Sequence, residues 1–308
     1  MIHALCVTSA VTRTTIHKVP VTRSKIAITF PGQGSQTSTM AAVTAAQRPD
    51  LLEQARGELG LDPFEHVADG THTAQPALYC ASLAHHKQAG SPEGQMVSGH
   101  SLGELAALVA AGALTDTDGL RLAVARGRLM EEASEGRPGA MLAVLGGDEE
   151  KVREIAADLG VAIGNENAPG QLVFSGDAEP IGEARKLVRV EAGAKAIRLP
   201  VSGAFHSPLM EPAVAGYREA LAATEFAPPQ VPVYSGVTAA PFDSDPRETL
   251  LSALTEPIVW TATLRAMQAD GAETFLETGP GDVLTGLAKR TVETAEARSL
   301  AEEETVNA

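Results

Sequence analysis

A serine between two glycines is the residue of this sequence best suited to nucleophilic chemistry. Ser101 lies in the motif GHSLG at 99–103, which follows a short apolar run and precedes a strongly helical one. A strand, a sharp turn that carries the nucleophile and then a helix form a nucleophile elbow, in which the flanking glycines avoid steric clashes. The helix start also directs the backbone N–H of Leu102 at a developing oxyanion. A serine that merely caps the helix is the alternative, and we favour the nucleophile.

A serine hydroxyl is a weak nucleophile and needs a base within hydrogen-bond reach, most often a histidine. Of the eight histidines, only His206 follows Ser101 in the chain, in a loop bounded by Gly203 and Pro208. In the order serine then histidine it is therefore the available base, with a histidine in a surface loop as the alternative. No acidic residue is singled out by its spacing as a third member. We therefore predict a Ser–His dyad in which a backbone carbonyl orients the imidazole.

The elements that must position these residues follow an α/β pattern. From residue 25 onward, short β-branched runs that end at Gly or Pro alternate with longer helical stretches, which is typical of a mainly parallel sheet. The first predicted strand, 26–30, runs into the turn PGQGSQ at 31–36, whose glycines leave backbone N–H groups free. A second strand at 95–99 leads into a helix over 103–111. The Gly-rich turn and the serine thus both follow strands, as in an α/β-hydrolase-like domain.

A separate unit is predicted between residues 137 and 202. Its runs follow the order βαββαβ, which is the split βαβ pattern of ferredoxin-like domains, and its position implies an insertion. The predicted organisation is a disordered extension at 1–24, a large α/β-hydrolase-like domain made of 25–136 and 203–308, and a ferredoxin-like small domain at 137–202. From Thr291 onward the acidic tail is predicted to be a solvated helix end that frays.

The composition excludes several classes of function. The 24 basic and 39 acidic residues leave a net charge of −15, which argues against nucleic-acid binding. The longest clear apolar run, Leu105–Leu114, is half of what a membrane helix needs. The two cysteines, Cys6 and Cys80, are too few for a disulfide framework or a zinc site. We expect a soluble, cytoplasmic monomer without metal or redox cofactor; an organelle-targeting segment is the alternative interpretation of the acid-poor residues 1–24.

Five motifs occur in a fixed order along the chain. They are FPGQGSQ at 30–36, GHSLGE at 99–104, Arg126-Gly127 before Met130, GAFHS at 203–207 and GPG at 279–281. In this order they resemble the motifs of malonyl-CoA:acyl carrier protein transacylases and of the related acyltransferase domains of polyketide synthases. The resemblance runs from about residue 25 to about residue 295. It implies an α/β-hydrolase-like domain with a ferredoxin-like insertion and an active site in the cleft between them.

The resemblance also implies a reaction. Ser101 would attack the thioester of malonyl-CoA while His206 takes its proton. The phosphopantetheine thiol of acyl carrier protein would then take the malonyl group from the enzyme, which makes the transfer a ping-pong reaction. The backbone N–H groups of Gln33 and Leu102 would hold the oxyanion. Malonyl-CoA enters as a substrate, and no cofactor or metal is implied.

Three further residues receive substrate-binding roles from the resemblance. Arg126 would grip the malonyl carboxylate, because a planar guanidinium holds a carboxylate with two parallel hydrogen bonds and a lysine does not. Its alternative is a surface arginine of a helix. Gln75 would line the cleft, with a helix-start residue as the alternative. Phe205, beside the base, would exclude an α-methyl group and so favour malonyl over methylmalonyl groups, a discrimination worth about 1–3 kcal/mol.

Two positions depart from the family pattern, and one region could serve for docking. Ala253 replaces a Gln whose main-chain carbonyl orients the catalytic histidine, and it still supplies a carbonyl; Gly236 replaces the Asn of a Ser-Asn-Val-Thr segment. The carrier protein is expected to be acidic, so a chain with a net charge of −15 needs a local basic patch. Arg185, Lys186 and Arg189 in the small domain are the candidates, with a solvated face as the alternative. Other basic residues of these regions are Lys195, Arg198, Lys289 and Arg290.

Other functions stay open at the level of sequence. A serine thioesterase or esterase would use the same nucleophile and let water resolve the acyl-enzyme; Arg126 and the lack of a histidine near the C-terminus favour transfer. A non-catalytic module that binds carrier proteins is disfavoured because both Ser101 and His206 are present. The sequence does not distinguish fatty acid from polyketide assembly. A trans-acting polyketide acyltransferase with another extender unit is a further alternative.

Overall fold

The structure is a computed structural model that describes residues 25–201 and 203–301. The extension predicted at 1–24 lies outside the described residues, and so does the last part of the predicted tail. In the described part of the chain no helix is both long and apolar enough to cross a membrane.

The elements alternate between strands and helices along most of the chain. In chain order they are β1 (Lys25–Phe30), α1 (Met40–Gln47), α2 (Pro49–Leu59), α3 (Thr71–Gln88), β2 (Met96–Gly99), α4 (Gly103–Ala110), α5 (Asp116–Gly136), β3 (Gly139–Leu145), α6 (Glu149–Asp158), β4 (Ala162–Ala168), β5 (Gln171–Asp177), α7 (Ala178–Val190), β6 (Lys195–Arg198), α8 (Glu211–Ala222), β7 (Val233–Tyr234), α9 (Arg247–Ser252), α10 (Trp260–Ala269), β8 (Ala272–Glu277), α11 (Val283–Thr291) and β9 (Glu296–Ser299). A single 3₁₀ turn, Pro208–Met210, precedes α8.

Five strands form a parallel sheet in the order β7-β2-β1-β8-β9. All four residues of β2 are buried, as are the last four of β1, because parallel strands are covered by other elements on both faces. Phe30 at the end of β1 pairs with Gly99 at the end of β2. Ligands of such sheets bind at the carboxyl ends of the strands. The register therefore brings the Gly-rich turn and the serine motif to one edge of the sheet.

Four strands form a second, antiparallel sheet in the order β4-β5-β3-β6. They lie between Gly139 and Arg198, inside the predicted range 137–202, and their order with α6 and α7 is βαββαβ. One face of this sheet, including Leu142 and Phe174, packs against the two helices. The other face, including Met141, joins the core of the large sheet. The predicted α/β class with a ferredoxin-like unit is confirmed, and this unit packs directly on the part that carries the serine.

The C-terminal region differs from the prediction. The helix α11 ends at Thr291, and the next element is the strand β9, which pairs in parallel with β8 and sets Ala297 opposite Phe275. In β9 the small residues Ala297 and Ser299 are buried while their charged neighbours are exposed. This alternation is the period of a half-buried strand. The prediction of a fraying helix end after Thr291 is therefore wrong for residues 296–299.

Candidate active site

Ser101 lies at the sharp turn between β2 and α4, with a left-handed φ of 54°. L side chains rarely adopt that region, so the surrounding backbone must hold the residue there. A Cβ atom at Gly99 would overlap the backbone of Gly103, and a Cβ atom at Gly103 would overlap the carbonyl oxygen of Phe30. The two glycines therefore permit the close approach of backbone segments that the elbow requires. The spacing GxSxG is explained by contact and not by flexibility.

The hydroxyl of Ser101 is hydrogen-bonded to the only histidine that follows it. Ser101 Oγ lies 2.9 Å from Nε2 of His206, and Nδ1 of the same ring lies 2.7 Å from the carbonyl oxygen of Ala253. A carbonyl oxygen accepts only, so Nδ1 carries the proton and donates it. This tautomer leaves Nε2 free to accept the hydrogen bond from the serine. Ala253, which departs from the family pattern, thus supplies the carbonyl oxygen that accepts the hydrogen bond from the imidazole.

The imidazole of His206 is held neutral by its surroundings. The ring is buried, and desolvation, together with the positive charge of Arg126 and the nearby His100, lowers the pKa of His206 to about 3. A neutral imidazole is the form that can accept a proton. His206 has a left-handed φ of 59°. Both members of the Ser–His pair therefore lie in a strained backbone conformation.

The small sheet supports the loop of His206 directly. Ser175 in β5 donates a hydrogen bond of 2.6 Å to the carbonyl oxygen of Phe205, the residue before the histidine. After the histidine, Ser207 donates one of 2.6 Å to the carbonyl oxygen of Ala204. A Cβ atom at Gly164 in β4 would lie 3.0 Å from the same Phe205 oxygen. The base therefore sits where the two sheets meet.

The Gly-rich turn after β1 packs against the elbow. A Cβ atom at Gly32 would lie 2.5 Å from the carbonyl oxygen of His100, next to the serine. Within residues 25–201 and 203–301, the backbone N–H groups of Gln33 and Leu102 have no hydrogen-bond partner. Two such amides beside a nucleophile suit the oxygen of a tetrahedral intermediate. The side chain of Gln33 is held elsewhere, because its Oε1 accepts a hydrogen bond of 2.9 Å from Thr71.

Arg126 is buried beside the nucleophile. Its side chain lies on α5, the residue is 4% exposed, and Nη2 donates a hydrogen bond of 3.1 Å to Ser101 Oγ. Nη1 donates one of 2.9 Å to Oε1 of Gln75, whose own amide nitrogen donates to Thr71 Oγ1 at 3.1 Å. Among the described residues no carboxylate forms an ion pair with Arg126. A buried cation without a carboxylate is costly, so its presence favours a ligand that supplies one.

Glu104 ends the motif GHSLGE, but the sequence predicted no role for it. It lies one helical turn after the serine, is 1% exposed, and burial raises the pKa of Glu104 to about 7. Its Oε1 accepts hydrogen bonds of 2.7 Å from the N–H of Gly236 and 3.0 Å from Ser235 Oγ. The glycine that departs from the family pattern therefore anchors this carboxyl group through its backbone. Ser235 and Gly236 follow Glu104 by 131 and 132 positions, so no short motif predicts these hydrogen bonds.

His100 was counted among the histidines but not assigned a role. Its Nε2 lies 2.8 Å from Oδ1 of Asn167 in β4, and its ring meets Trp260 edge-on at a centroid distance of 5.4 Å. Burial lowers the pKa of His100. The residue directly before the nucleophile is thereby bonded to the antiparallel sheet.

The side chains of the remaining predicted residues take no part in this network. Phe205 is 5% exposed and packs in the large core through its ring. Arg185, Lys186 and Arg189 are exposed on α7 and, with Arg198 of β6, line a cavity of about 280 Å³. In the described part of the chain, no group of His, Cys, Asp or Glu residues has the arrangement of a metal site.

Comparisons with known proteins agree with this geometry. The acyl transferase domain family matches residues 28–306. The malonyl CoA-acyl carrier protein transacylase of Escherichia coli K12 is 38% identical over 298 residues, which is 91% of this chain and 96% of that protein. The polyketide biosynthesis protein ThaF of Burkholderia thailandensis is 41% identical over 86% of this chain, which spans about a quarter (24%) of ThaF. A solved complex, described as a type II polyketide synthase acyl-carrier protein with its malonyl-transacylase, matches with a TM-score of 0.82 and 36% identity, covering 90% of this chain and 96% of the solved one.

Proposed function

This chain belongs to the acyl transferase domain family and is similar to malonyl CoA-acyl carrier protein transacylases. We propose that it transfers a malonyl group from malonyl-CoA to the phosphopantetheine thiol of an acyl carrier protein. It is an acyltransferase, and the chemistry needs a nucleophile, a base, a site for an oxyanion and a site for the malonyl carboxylate. The candidates are Ser101, His206, the backbone N–H groups of Gln33 and Leu102, and Arg126.

The first half-reaction forms the acyl-enzyme. Ser101 Oγ attacks the thioester carbonyl of malonyl-CoA as its proton passes to Nε2 of His206, 2.9 Å away. The tetrahedral intermediate collapses when the carbon–sulfur bond breaks, and the CoA thiolate takes the proton from the imidazolium. The products are the malonyl ester of Ser101 and CoA, with the imidazole neutral again.

The second half-reaction repeats these steps with a different thiol. The phosphopantetheine thiol gives its proton to His206 and attacks the ester carbonyl. The ester bond to Ser101 then breaks, and the serine oxygen regains the proton. In both halves the N–H groups of Gln33 and Leu102 would donate to the oxyanion, and the burial of the site strengthens such hydrogen bonds.

The observation that carries the malonyl assignment is the buried guanidinium of Arg126. It reaches Ser101 Oγ at 3.1 Å and has no carboxylate partner among the described residues. Gln75 fixes Nη1, so the plane of the guanidinium is oriented before substrate arrives. A malonyl group esterified to Ser101 would bring its free carboxylate to this cation, whereas an acetyl group would leave the charge unpaired. We extend the proposal to Phe205, which would exclude an α-methyl group.

The carrier protein would dock on the basic face of the small sheet. Arg185, Lys186 and Arg189 lie on α7 and, with Arg198, line one cavity, while the whole chain carries a net charge of −15. Such a local concentration of positive charge suits an acidic partner and speeds its encounter. Monomeric state, cytoplasmic location and action without a metal or redox cofactor stay predictions, which light scattering, fractionation and elemental analysis would test.

The proposed function is tested by intact mass. The protein is mixed with malonyl-CoA, and we expect one malonyl adduct on the wild type and none on Ser101→Ala. Adding a phosphopantetheinylated carrier protein should move the adduct to the carrier. An adduct on Ser101→Ala, or no adduct on the wild type, would contradict the assignment. Loss of the adduct to water with an unmodified carrier would instead identify a thioesterase.

A further inference from the structure

The guanidinium of Arg126 donates a hydrogen bond of 3.1 Å to the hydroxyl of Ser101, the proposed nucleophile. We propose that this hydrogen bond is an autoinhibitory contact that a carboxylate releases, so that a small free carboxylate activates the enzyme toward acyl-CoA substrates that have no carboxylate of their own. The inference rests on the proposed function, because it assigns to Arg126 a second task at the same site. It predicts a binding site for an activator of the size of formate.

The hydrogen bond from Arg126 engages a lone pair of the serine oxygen. Ser101 Oγ donates its proton toward Nε2 of His206 at 2.9 Å and accepts from Nη2 of Arg126 at 3.1 Å. When Oγ attacks a carbonyl carbon, its electron pair enters the new bond and the oxygen becomes a poor acceptor. A hydrogen bond from a charged donor is among the stronger ones in a buried site. It stabilises the resting serine more than the transition state, and such an interaction slows the chemical step.

The charge of Arg126 opposes the second event of the same step. As the serine proton moves, the imidazole of His206 becomes positively charged. The imidazole and the guanidinium are close together, because both are hydrogen-bonded to Ser101 Oγ, at 2.9 Å and 3.1 Å. The two cations repel in a buried site where water screens them little. After burial, which is the larger cause, the same charge contributes to the lowered pKa of His206. A carboxylate on Arg126 neutralises this charge and so favours formation of the imidazolium.

The other titratable groups around the pair form no ion pair with Arg126 among the described residues. Glu104 faces Arg126, but burial raises its pKa to about 7, and its Oε1 is taken by Gly236 and Ser235. The phenol of Tyr217 also faces Arg126, and burial raises its pKa well above the ordinary value. His100 faces His206, and burial lowers its pKa. No described carboxylate therefore lies within ion-pair distance of Arg126, and a carboxylate from outside the protein can take that position.

The hydrogen bonds of Arg126 leave donors for that carboxylate. A guanidinium has five N–H donors, and the hydrogen bonds of Arg126 to Gln75 and Ser101 use one on Nη1 and one on Nη2. A malonyl group brings its own carboxylate to the remaining donors. An acetyl group brings none, so formate can take that place.

The test uses the intact wild-type protein and acetyl-CoA. The rate of Ser101 acetylation is followed as CoA release and by intact mass, with sodium formate or with sodium chloride at the same ionic strength. Formate takes no part in the covalent step: Ser101 gains the acetyl group, and its proton leaves on CoA through His206. We expect formate to raise the acetylation rate by about tenfold, which corresponds to about 1.4 kcal/mol of barrier.

Two variants locate the effect. Arg126→Ala should acetylate faster than the wild type without formate and should not respond to formate. Arg128→Ala is the matched control, since Arg128 lies on the same helix, is exposed and pairs with Glu132. It should keep the full formate response.

Other outcomes separate the inference from the proposed function. If malonyl-CoA acylates Ser101 but formate leaves acetylation of the wild type unchanged, the autoinhibitory contact is refuted while the transferase assignment stands. An equal formate response in Arg126→Ala would also refute it, because the ion would then act elsewhere. If malonyl-CoA fails to acylate Ser101 at all, the proposed function fails first. The wild-type measurement does not depend on whether Arg126→Ala folds.

Discussion

Two residues of this protein, Ser101 and His206, hold left-handed φ angles of 54° and 59°. Neither is a glycine, and such angles persist only where neighbouring structure enforces them. The serine is enforced by the close contacts of Gly99 and Gly103, and the histidine by hydrogen bonds on both sides of it in the chain. The strained backbone conformations therefore occur at the two residues whose side-chain atoms, Ser101 Oγ and His206 Nε2, form a hydrogen bond. The backbone thus fixes the 2.9 Å contact before any substrate binds.

At the residue scale, the pH dependence of His206 can be predicted. Desolvation first, and the charge of Arg126 second, lower the pKa of His206 to about 3, so the imidazole stays neutral well below the ordinary value for histidine. We expect kcat/KM for acylation by malonyl-CoA to stay level between about pH 5 and pH 8, since this ratio reports the free enzyme. An acid limb near the ordinary histidine pKa of about 6.5 would contradict the prediction, provided that circular dichroism shows a folded protein.

The sequence predicted the Ser–His pair because both signals are local or unique. The spacing GxSxG has a steric reason that holds within five residues, and only one histidine follows the serine. The carbonyl that orients the imidazole was anticipated too, because any residue at position 253 supplies one. The roles of Glu104 and His100 were not predicted, because their hydrogen-bond partners, Gly236 and Asn167, are distant in sequence. Contacts of that kind depend on the packing of elements, which no short motif records.

At the element scale, Glu104 joins the helix after the nucleophile to the loop after β7. Burial raises its pKa from 4.5 to about 7, so the folded state binds a proton more tightly than the unfolded state does. Stability is then lost as the pH rises through the folded pKa, by about 1 kcal/mol between pH 6 and pH 8. Glu104→Gln keeps an acceptor oxygen for Gly236 and removes the titration, so we expect the pH dependence of urea unfolding to diminish in this window.

Glu277 supplies the control for that experiment. Burial raises the pKa of Glu277 to about 7 as well, and its carboxylate caps α11 by accepting from the N–H groups of Leu284 and Thr285. It contributes a pH dependence of the same sign, which Glu104→Gln leaves in place. A variant whose stability falls between pH 6 and pH 8 as steeply as that of the wild type would show that Glu104 is already ionised in the folded protein.

The GPG turn between β8 and α11 also acts at the scale of elements. A Cβ atom at Gly279 would lie 2.5 Å from the ring of Pro31, at the start of the turn that carries Gln33. Gly279→Ala should therefore push this turn and displace one oxyanion donor. We expect kcat to fall by between about tenfold and the roughly hundredfold that loss of such a donor costs, with KM for malonyl-CoA little changed.

A glycine seven residues further along, Gly286, offers a matched comparison. Gly286 lies inside α11, and a Cβ atom there would meet nothing within 4 Å. Gly286→Ala should leave kcat unchanged and stabilise the helix by about 0.5–1 kcal/mol. Equal kcat values for Gly279→Ala and the wild type, measured on folded protein, would show that the GPG turn does not position Gln33.

At the scale of the whole molecule, the two members of the proposed Ser–His pair come from different sheets. Ser101 follows β2 of the parallel sheet, whereas His206 follows the antiparallel unit, whose Ser175 donates a hydrogen bond to the carbonyl oxygen of the preceding Phe205. His100 and Asn167 form a second link across the same boundary. The order of motifs in the sequence predicted this division. The strand β9 was not predicted, because its four residues alternate too briefly to stand out from a charged tail.

At the scale of the whole molecule, changes to the proposed docking face should affect only the second half-reaction, the transfer to the carrier protein. Arg185, Lys186 and Arg189 are exposed on α7, on the side of the small sheet that carries its own helices. Reversing all three charges to Glu should leave acylation of Ser101 by malonyl-CoA unchanged, because CoA needs no contact with them in this proposal. Transfer to the carrier protein should slow by about tenfold at low salt, and its salt dependence should flatten, since steering by opposite charges is lost.

A second triple variant separates the position of these charges from the total charge. Reversing the exposed Arg121, Arg128 and Arg218 changes the net charge by the same amount on the large domain. If both triple variants slow carrier transfer equally, the net charge of the chain governs the encounter and α7 is not the docking face. If only the α7 variant slows it while both acylate at the wild-type rate, the carrier approaches through the small domain. The same unit that holds the base in place would then also receive the thiol that the base deprotonates.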